Sequence, residues 1–210
     1  MKPRKAFTLP ELMIALSITS IIGATATGVA FTLSHAQSQT DEMCQCVQSA
    51  RNGTLTIDAD VRKAAMVTAV SDSELSLWTG DANGDGVVNV DELVLISYVP
   101  ADGTIVRRNI DFSLGGGPNM KAILDSPRAP QNCTLAVVEG IMSNAMYARY
   151  LTSTILATDV GSLVMTPNLP APLTTLLNTR LTVGQGTQRV TLTDSVGLRC
   201  PVPAAGGGGG

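Results

Sequence analysis

The chain has 210 residues and a formal net charge of −3, with 44% hydrophobic but only 3% aromatic residues. A negative balance and few aromatic stacking platforms weigh against nucleic acid as a partner. The sequence holds one His, His35, and neither a G-x-S-x-G motif nor a phosphate-binding loop. We therefore expect no enzyme activity from this chain.

The N-terminal segment places a short basic leader, residues 1–6, ahead of an uncharged apolar run from Leu12 to Phe31. At about 1.5 Å per residue, a helix of that run spans roughly 30 Å, the thickness of a bilayer core. An ordinary secretory signal is cut behind its apolar stretch. Here the candidate cleavage site, between Ala6 and Phe7, lies in front of it, so the hydrophobic segment would stay on the mature protein.

The run Lys5-Ala6-Phe7-Thr8-Leu9-Pro10-Glu11-Leu12 resembles the signal of type IV pilins and of the pseudopilins of type II secretion. The resemblance implies cleavage by a prepilin peptidase before Phe7, methylation of the new amine, and assembly with other pilin or pseudopilin subunits. It also implies that Glu11 pairs with the N-terminal amine of a neighbouring subunit. The simpler alternative is a plain membrane anchor, which leaves Glu11 unexplained because an acidic group at a membrane edge needs a partner.

The basic leader also predicts the orientation of the span, because positive residues favour the cytoplasmic side. We expect a single pass through the inner membrane, residues 7–31, with the rest of the chain in the periplasm or outside the cell. Beyond the span, apolar residues recur at steps of four and three from Met43 to Ala64. This predicts one long helix over 8–65, whose second part, 32–65, packs against the head.

The remaining chain, residues 66–205, predicts a β-rich head followed by a flexible Gly tail, 206–210. The predicted strands are Met66–Val70, Glu74–Thr79, Leu93–Val99, Thr104–Asn109, Gly161–Met165, Leu173–Val183 and Thr187–Leu198. Residues 135–150 fit either a short helix or irregular structure. The expected fold class is α+β: a long N-terminal helix packed on an antiparallel sheet, which is the pilin arrangement.

Residues 81–92 match the twelve-residue calcium loop at every position. The side-chain ligands would be Asp81, Asn83, Asp85, Asn89 and Glu92, with a backbone carbonyl from Val87 and the sharp turn at Gly86. Strands are predicted on both sides, so we expect a structural Ca²⁺ in a long hairpin loop. The alternatives are a polar hairpin tip without metal, and a dockerin-like repeat, of which the chain has one where dockerins use two.

Four cysteines, Cys44, Cys46, Cys133 and Cys200, would face an oxidising compartment. Cys44 and Cys46 are too close to favour a mutual bridge, which leaves two ways to pair them with Cys133 and Cys200. Two positions on a helix differ by about 200°, so we expect one firm bridge between helix and head. Four unpaired thiols remain the alternative, and zinc is disfavoured by the C-x-C spacing.

A second resemblance concerns the head. The segments Ser73–Trp78, Ile96–Tyr98, Gly103–Arg107 and Thr179–Val183 are similar to the PilW or secretion-J group of minor subunits. The implied function is that of a minor pilin or pseudopilin, a structural subunit of a type IV pilus or a type II secretion pseudopilus. The alternative function is a membrane-anchored extracytoplasmic calcium-binding module with a dockerin-like repeat.

Overall fold

The computed structural model describes residues 8–81, 84–114, 119–184 and 189–198. The predicted cleavage site at Ala6 and Phe7, the loop residue Asn83, Cys200 and the tail 206–210 lie outside these ranges.

The expected α+β architecture is confirmed: a long helix, α1, is followed by antiparallel sheets. Helix α1 spans Leu9–Lys63, close to its predicted bounds. A five-stranded sheet runs in the order β1-β2-β3-β4-β5 and a three-stranded sheet in the order β6-β7-β8. The strands are β1 Met66–Val70, β2 Glu74–Trp78, β3 Leu93–Val99, β4 Thr104–Ile110, β5 Leu151–Ala157, β6 Val160–Pro167, β7 Leu176–Val183 and β8 Val190–Gly197.

The chain divides into two compact units, Met1–Cys44 and Gln45–Gly210. In the second unit, one face of α1 is buried through Ala50, Ile57 and Val61, each 0% exposed. These side chains belong to one core with residues of both sheets, among them Leu77 of β2 and Leu181 of β7. The helical spacing of apolar residues seen in the sequence therefore marks the face that joins the two sheets.

A second core lies around residues 111–150, the excursion between β4 and β5. The excursion contains helices α2, Asn119–Leu124, and α3, Leu135–Met142. Val138 and Ile141 of α3 pack with Leu93 and Leu95 of β3. Residues 135–150, which the sequence left undecided, thus begin with a helix that covers the five-stranded sheet.

The two sheets are joined by hydrogen bonds as well as by apolar contacts. The Tyr98 hydroxyl donates to the carbonyl of Val160 at 3.0 Å. The Val160 N–H donates to the carbonyl of Gly103 at 2.8 Å, and Met165 donates to Asp72 at 2.9 Å. These bonds tie the start and the middle of β6 to turns of the other sheet.

Two strand predictions differ from the structure. Strand β5 was not predicted, although its β-branched Thr152, Thr154 and Ile155 carry a strand signal. Strand β7 begins at Leu176 instead of Leu173, because the Asn168 side chain accepts the N–H groups of Thr175 at 3.1 Å and Leu176 at 2.9 Å and so closes a turn there.

Gly53 lies inside α1 at the point where the helix passes closest to β5. A Cβ atom at this position would lie 3.0 Å from the Cβ of Ala157 and 3.0 Å from the carbonyl oxygen of Leu156. Glycine is a poor helix former, and the structure supplies the reason for its presence. The glycine permits close approach of helix and strand.

Two pairs of acidic side chains meet at the interfaces between helices and sheets. Burial, reinforced by the neighbouring Asp194 carboxyl and opposed by Arg62, raises the pKa of Asp58 to about 6. Burial and the Glu139 carboxyl likewise raise the pKa of Glu74 to about 7. The first pair links α1 to β8, and the second links β2 to α3.

We predict that Gly53→Ala lowers the stability of the full chain in detergent. Alanine gains about 1 kcal/mol of helix propensity, but overpacking against β5 costs about 1–3 kcal/mol. Gly140→Ala in α3 is the matched control, since nothing lies within 4 Å of a Cβ added at that position. This variant should raise the stability of the chain. Denaturant unfolding of both variants measures the difference, and equal gains for both would contradict tight packing at Gly53.

We predict that the free energy of unfolding falls as pH rises from about 5 to about 8. A pKa raised by folding means that the folded state binds more protons, so stability is lost as pH rises through that pKa. The stabilising effect is complete at pH values below the ordinary pKa, 3.8 for Asp58 and 4.5 for Glu74. It is lost as the pH rises through the pKa in the folded state, about 6 for Asp58 and about 7 for Glu74.

Asp194→Asn and Glu139→Gln should each flatten this dependence, because each removes the charge that faces a raised carboxyl. Asp102→Asn, at an exposed turn position, is the control. Melting temperatures measured across the pH range give the dependence of stability on pH. If neither Asp194→Asn nor Glu139→Gln changes this dependence, the assignment to these two acidic pairs is refuted.

Candidate functional site

The first half of α1 is long and apolar enough to cross a membrane. It carries an 18-residue window with a mean hydropathy of 1.8, none of it buried by the described part of the chain. Large apolar side chains such as Ile14, Ile21 and Phe31 are exposed, at 60%, 64% and 74%. A surface of this kind fits a lipid environment or the apolar face of neighbouring helices.

The hydroxyl groups of this segment are satisfied within the helix. Ser17, Thr19 and Ser20 each donate to the carbonyl four residues earlier at 2.8 Å, and Thr27 donates to Gly23 at 2.8 Å. Polar groups must find internal partners in a bilayer. The many Ser and Thr residues are therefore compatible with a membrane span.

Glu11 has a local partner that sequence reasoning missed. Its Oε2 accepts the backbone N–H of Thr8 at 2.9 Å and the Thr8 hydroxyl at 2.8 Å. Since α1 begins at Leu9, Thr8 is the N-cap residue and Glu11 is the third helical residue. The T-x-x-E spacing is half of a capping box, and it could have been recognised in the sequence. Glu11 thus stabilises the start of the helix and also presents a carboxylate at that end.

The loop 81–92 closes the hairpin between β2 and β3, which pair with Trp78 opposite Leu93. The Asp81 carboxylate accepts the N–H groups of Gly84 at 2.7 Å, Asp85 at 3.0 Å and Gly86 at 2.8 Å. Gly86 has a φ of +73°, a conformation that favours glycine. Asp81, the first predicted ligand, therefore stabilises the turn at Gly86, the sixth position of the motif.

The end of the loop is buried. Asn89 is 2% exposed and Glu92 is 4% exposed. Glu92 Oε2 accepts the indole N–H of Trp78 at 2.9 Å and the backbone N–H of Asn89 at 3.2 Å. The ninth and twelfth positions of the motif are thus held inside the protein, while Asp85 at the fifth is exposed.

The described carboxylates of the loop do not by themselves form a metal centre. Among the described residues, no three His, Cys, Asp or Glu side chains form a group that could hold a metal ion. The motif relies on only three carboxylates, Asp81, Asp85 and Glu92, and completes its ligand set with amide and backbone oxygens. Calcium binding remains a prediction from spacing.

Cys44 and Cys133 form no bridge with each other in the part of the chain that the structure covers. Cys44 is an exposed free thiol and Cys133 is a buried one. Burial raises the pKa of the Cys133 thiol, whose sulfur lies 3.9 Å from the carbonyl oxygen of Ala129. Cys46 is half-buried. With Cys200 outside the described ranges, the predicted pairing stays open.

Comparison with known families adds one finding. The family described as "Prokaryotic N-terminal methylation motif" matches residues 1–27. The match includes Ala6, Phe7 and Glu11 together with most of the apolar run. No curated protein and no solved structure matches the chain. The motif, together with the long N-terminal helix that begins inside it and the antiparallel β domain that follows, supports a type IV pilin-like or pseudopilin-like protein.

Proposed function

We propose that this chain is the precursor of a minor pilin or pseudopilin, a structural subunit of a type IV pilus or a type II secretion pseudopilus. The observation that carries the proposal is the methylation motif at residues 1–27, which includes the start of a helix able to cross a membrane. The similarity of the head segments to the PilW or secretion-J group favours a minor subunit. The chain would be no enzyme.

In this role the leader stays in the cytoplasm, the first half of α1 lies in the inner membrane, and the head faces the periplasm or the exterior. A prepilin peptidase removes residues 1–6 and the amine of Phe7 is methylated. The uncovered apolar side chains then pack against the helices of other subunits in the filament. Small residues such as Gly23 and Gly28, with nothing within 4 Å of a Cβ position, permit close helix approach.

We predict that the mature protein begins at Phe7 with a methylated amine. Mass spectrometry of the N-terminal peptide from membranes of the native host tests this. Ala6→Leu should block the cut, because cleavage sites of exported proteins require small residues, whereas Ala6→Gly should preserve it. Recovery of an intact Met1 in assembled material would contradict the proposed processing.

We predict that the charge of Glu11 is needed for assembly beyond its capping bond. Glu11→Gln keeps an oxygen for the Thr8 N–H but removes the negative charge, while Glu11→Ala removes both. Both variants should fail to enter the filament and should keep the fold of the head, measured by circular dichroism. If Glu11→Gln assembles normally and only Glu11→Ala fails, the carboxylate serves the helix start alone.

A further inference from the structure

The membrane and assembly roles proposed above do not involve the loop 81–92, although several specific hydrogen bonds fix its conformation. Its front half, with Asp81, Gly84 and Gly86, is a turn with two left-handed glycines at φ +75° and +73°. The Val87 N–H donates to the Asp85 carboxylate at 2.9 Å. This half is open to solvent, so an ion can reach it.

The rear half buries two polar residues at ligand positions of the calcium motif. Glu92 carries a carboxylate at 4% exposure, and Asn89 is 2% exposed. Glu92 accepts the N–H groups of the Trp78 indole and the Asn89 backbone, and burying a carboxylate is costly unless it is paired or coordinates a metal. Asn89 and Glu92 occupy the ninth and twelfth positions of a calcium loop, where oxygen ligands are required.

The rear half is also the attachment point of the excursion 111–150. Val88 exchanges backbone hydrogen bonds with Arg128, at 2.8 and 3.0 Å. The Val90 N–H donates to the Asp125 carboxylate at 3.0 Å, and Lys121 pairs with Asp91 at 2.6 Å. Val88 and Val90 are 1% and 0% exposed and belong to the core that includes α3.

We propose that residues 81–92 bind one Ca²⁺ and that this ion fixes the excursion 111–150 on the five-stranded sheet. Calcium takes six to eight oxygen ligands in a flexible shell, which suits two Asp, one Glu, amide oxygens and the Val87 carbonyl. Because the three carboxylates are not already gathered, binding draws Asp81 and Asp85 toward the buried Glu92. The bound ion then holds the loop closed and fixes its backbone at Val88 and Val90.

Binding is tested on the full chain in detergent after removal of divalent ions. Trp78, the only Trp of the sequence, contacts Glu92, so its fluorescence should change and saturate as CaCl₂ is added. Calorimetry should give a dissociation constant of about 10⁻⁴–10⁻³ M or tighter. Magnesium should bind less well, because it demands a smaller octahedral shell.

Asp81→Ala combined with Asp85→Ala should weaken calcium binding by at least about tenfold, since it removes two of the charged ligands. Asp102→Ala, an exposed acid in the turn between β3 and β4, should leave it unchanged. An unchanged affinity in the double variant would place the metal elsewhere. The absence of any saturable response to calcium would overturn the site itself.

The effect on the excursion is tested by hydrogen exchange with and without calcium. Exchange in 119–150 should slow with calcium, while 50–61 of α1 should change little. Asp125→Ala removes the bond to Val90 and should still bind calcium but lose part of this protection. Calcium binding without any slowing in 119–150 would refute the coupling. Neither measurement requires assembly, so failure here is distinct from failure of the pilin proposal.

Discussion

The packing of a single helix face against two sheets is the contact on which the folded part of this chain depends. Ile57 and Val61 are completely buried, and full burial of such a side chain contributes about 1.5–3 kcal/mol. Leu177 and Leu181 of the three-stranded sheet belong to the same core as this helix face and as residues of the five-stranded sheet. The Asp60–Arg107 ion pair, with a distance of 2.7 Å between carboxylate and guanidinium, fixes the helix over β4.

The same interfaces carry acidic groups at positions where an apolar side chain would pack more easily. Asp58 faces Asp194 and Glu74 faces Glu139, so folding brings like charges together in partly dry surroundings. Proton uptake relieves the contact of Glu74 near pH 7 and that of Asp58 near pH 6. A head of this kind is more stable in mildly acidic than in alkaline solution, and the second pair adjoins α3, which packs on the five-stranded sheet.

Much of the architecture could be predicted because its signals are local. Helical spacing located the buried face of α1, and runs of strand-forming residues located β3 and β4. The Asp194 contact could not be predicted, because an acid at an inward position of β8 interrupts the apolar alternation that identifies a strand. The loop illustrates a different limit: spacing predicts the ligands, but the described carboxylates among them do not form a metal-binding group.

Strand β5 lies at the edge of the five-stranded sheet, and its composition affects the solubility of the head. In the part of the chain that the structure covers, it pairs with β4 alone, and its sequence, Leu151–Ala157, has neither charge nor proline. Proteins commonly protect such edges with lysine, proline or a covering element. A head produced without its anchor would therefore present an open, neutral β edge to every other copy in solution. Placing a lysine at the exposed Ile155 is the direct way to keep such a fragment monomeric.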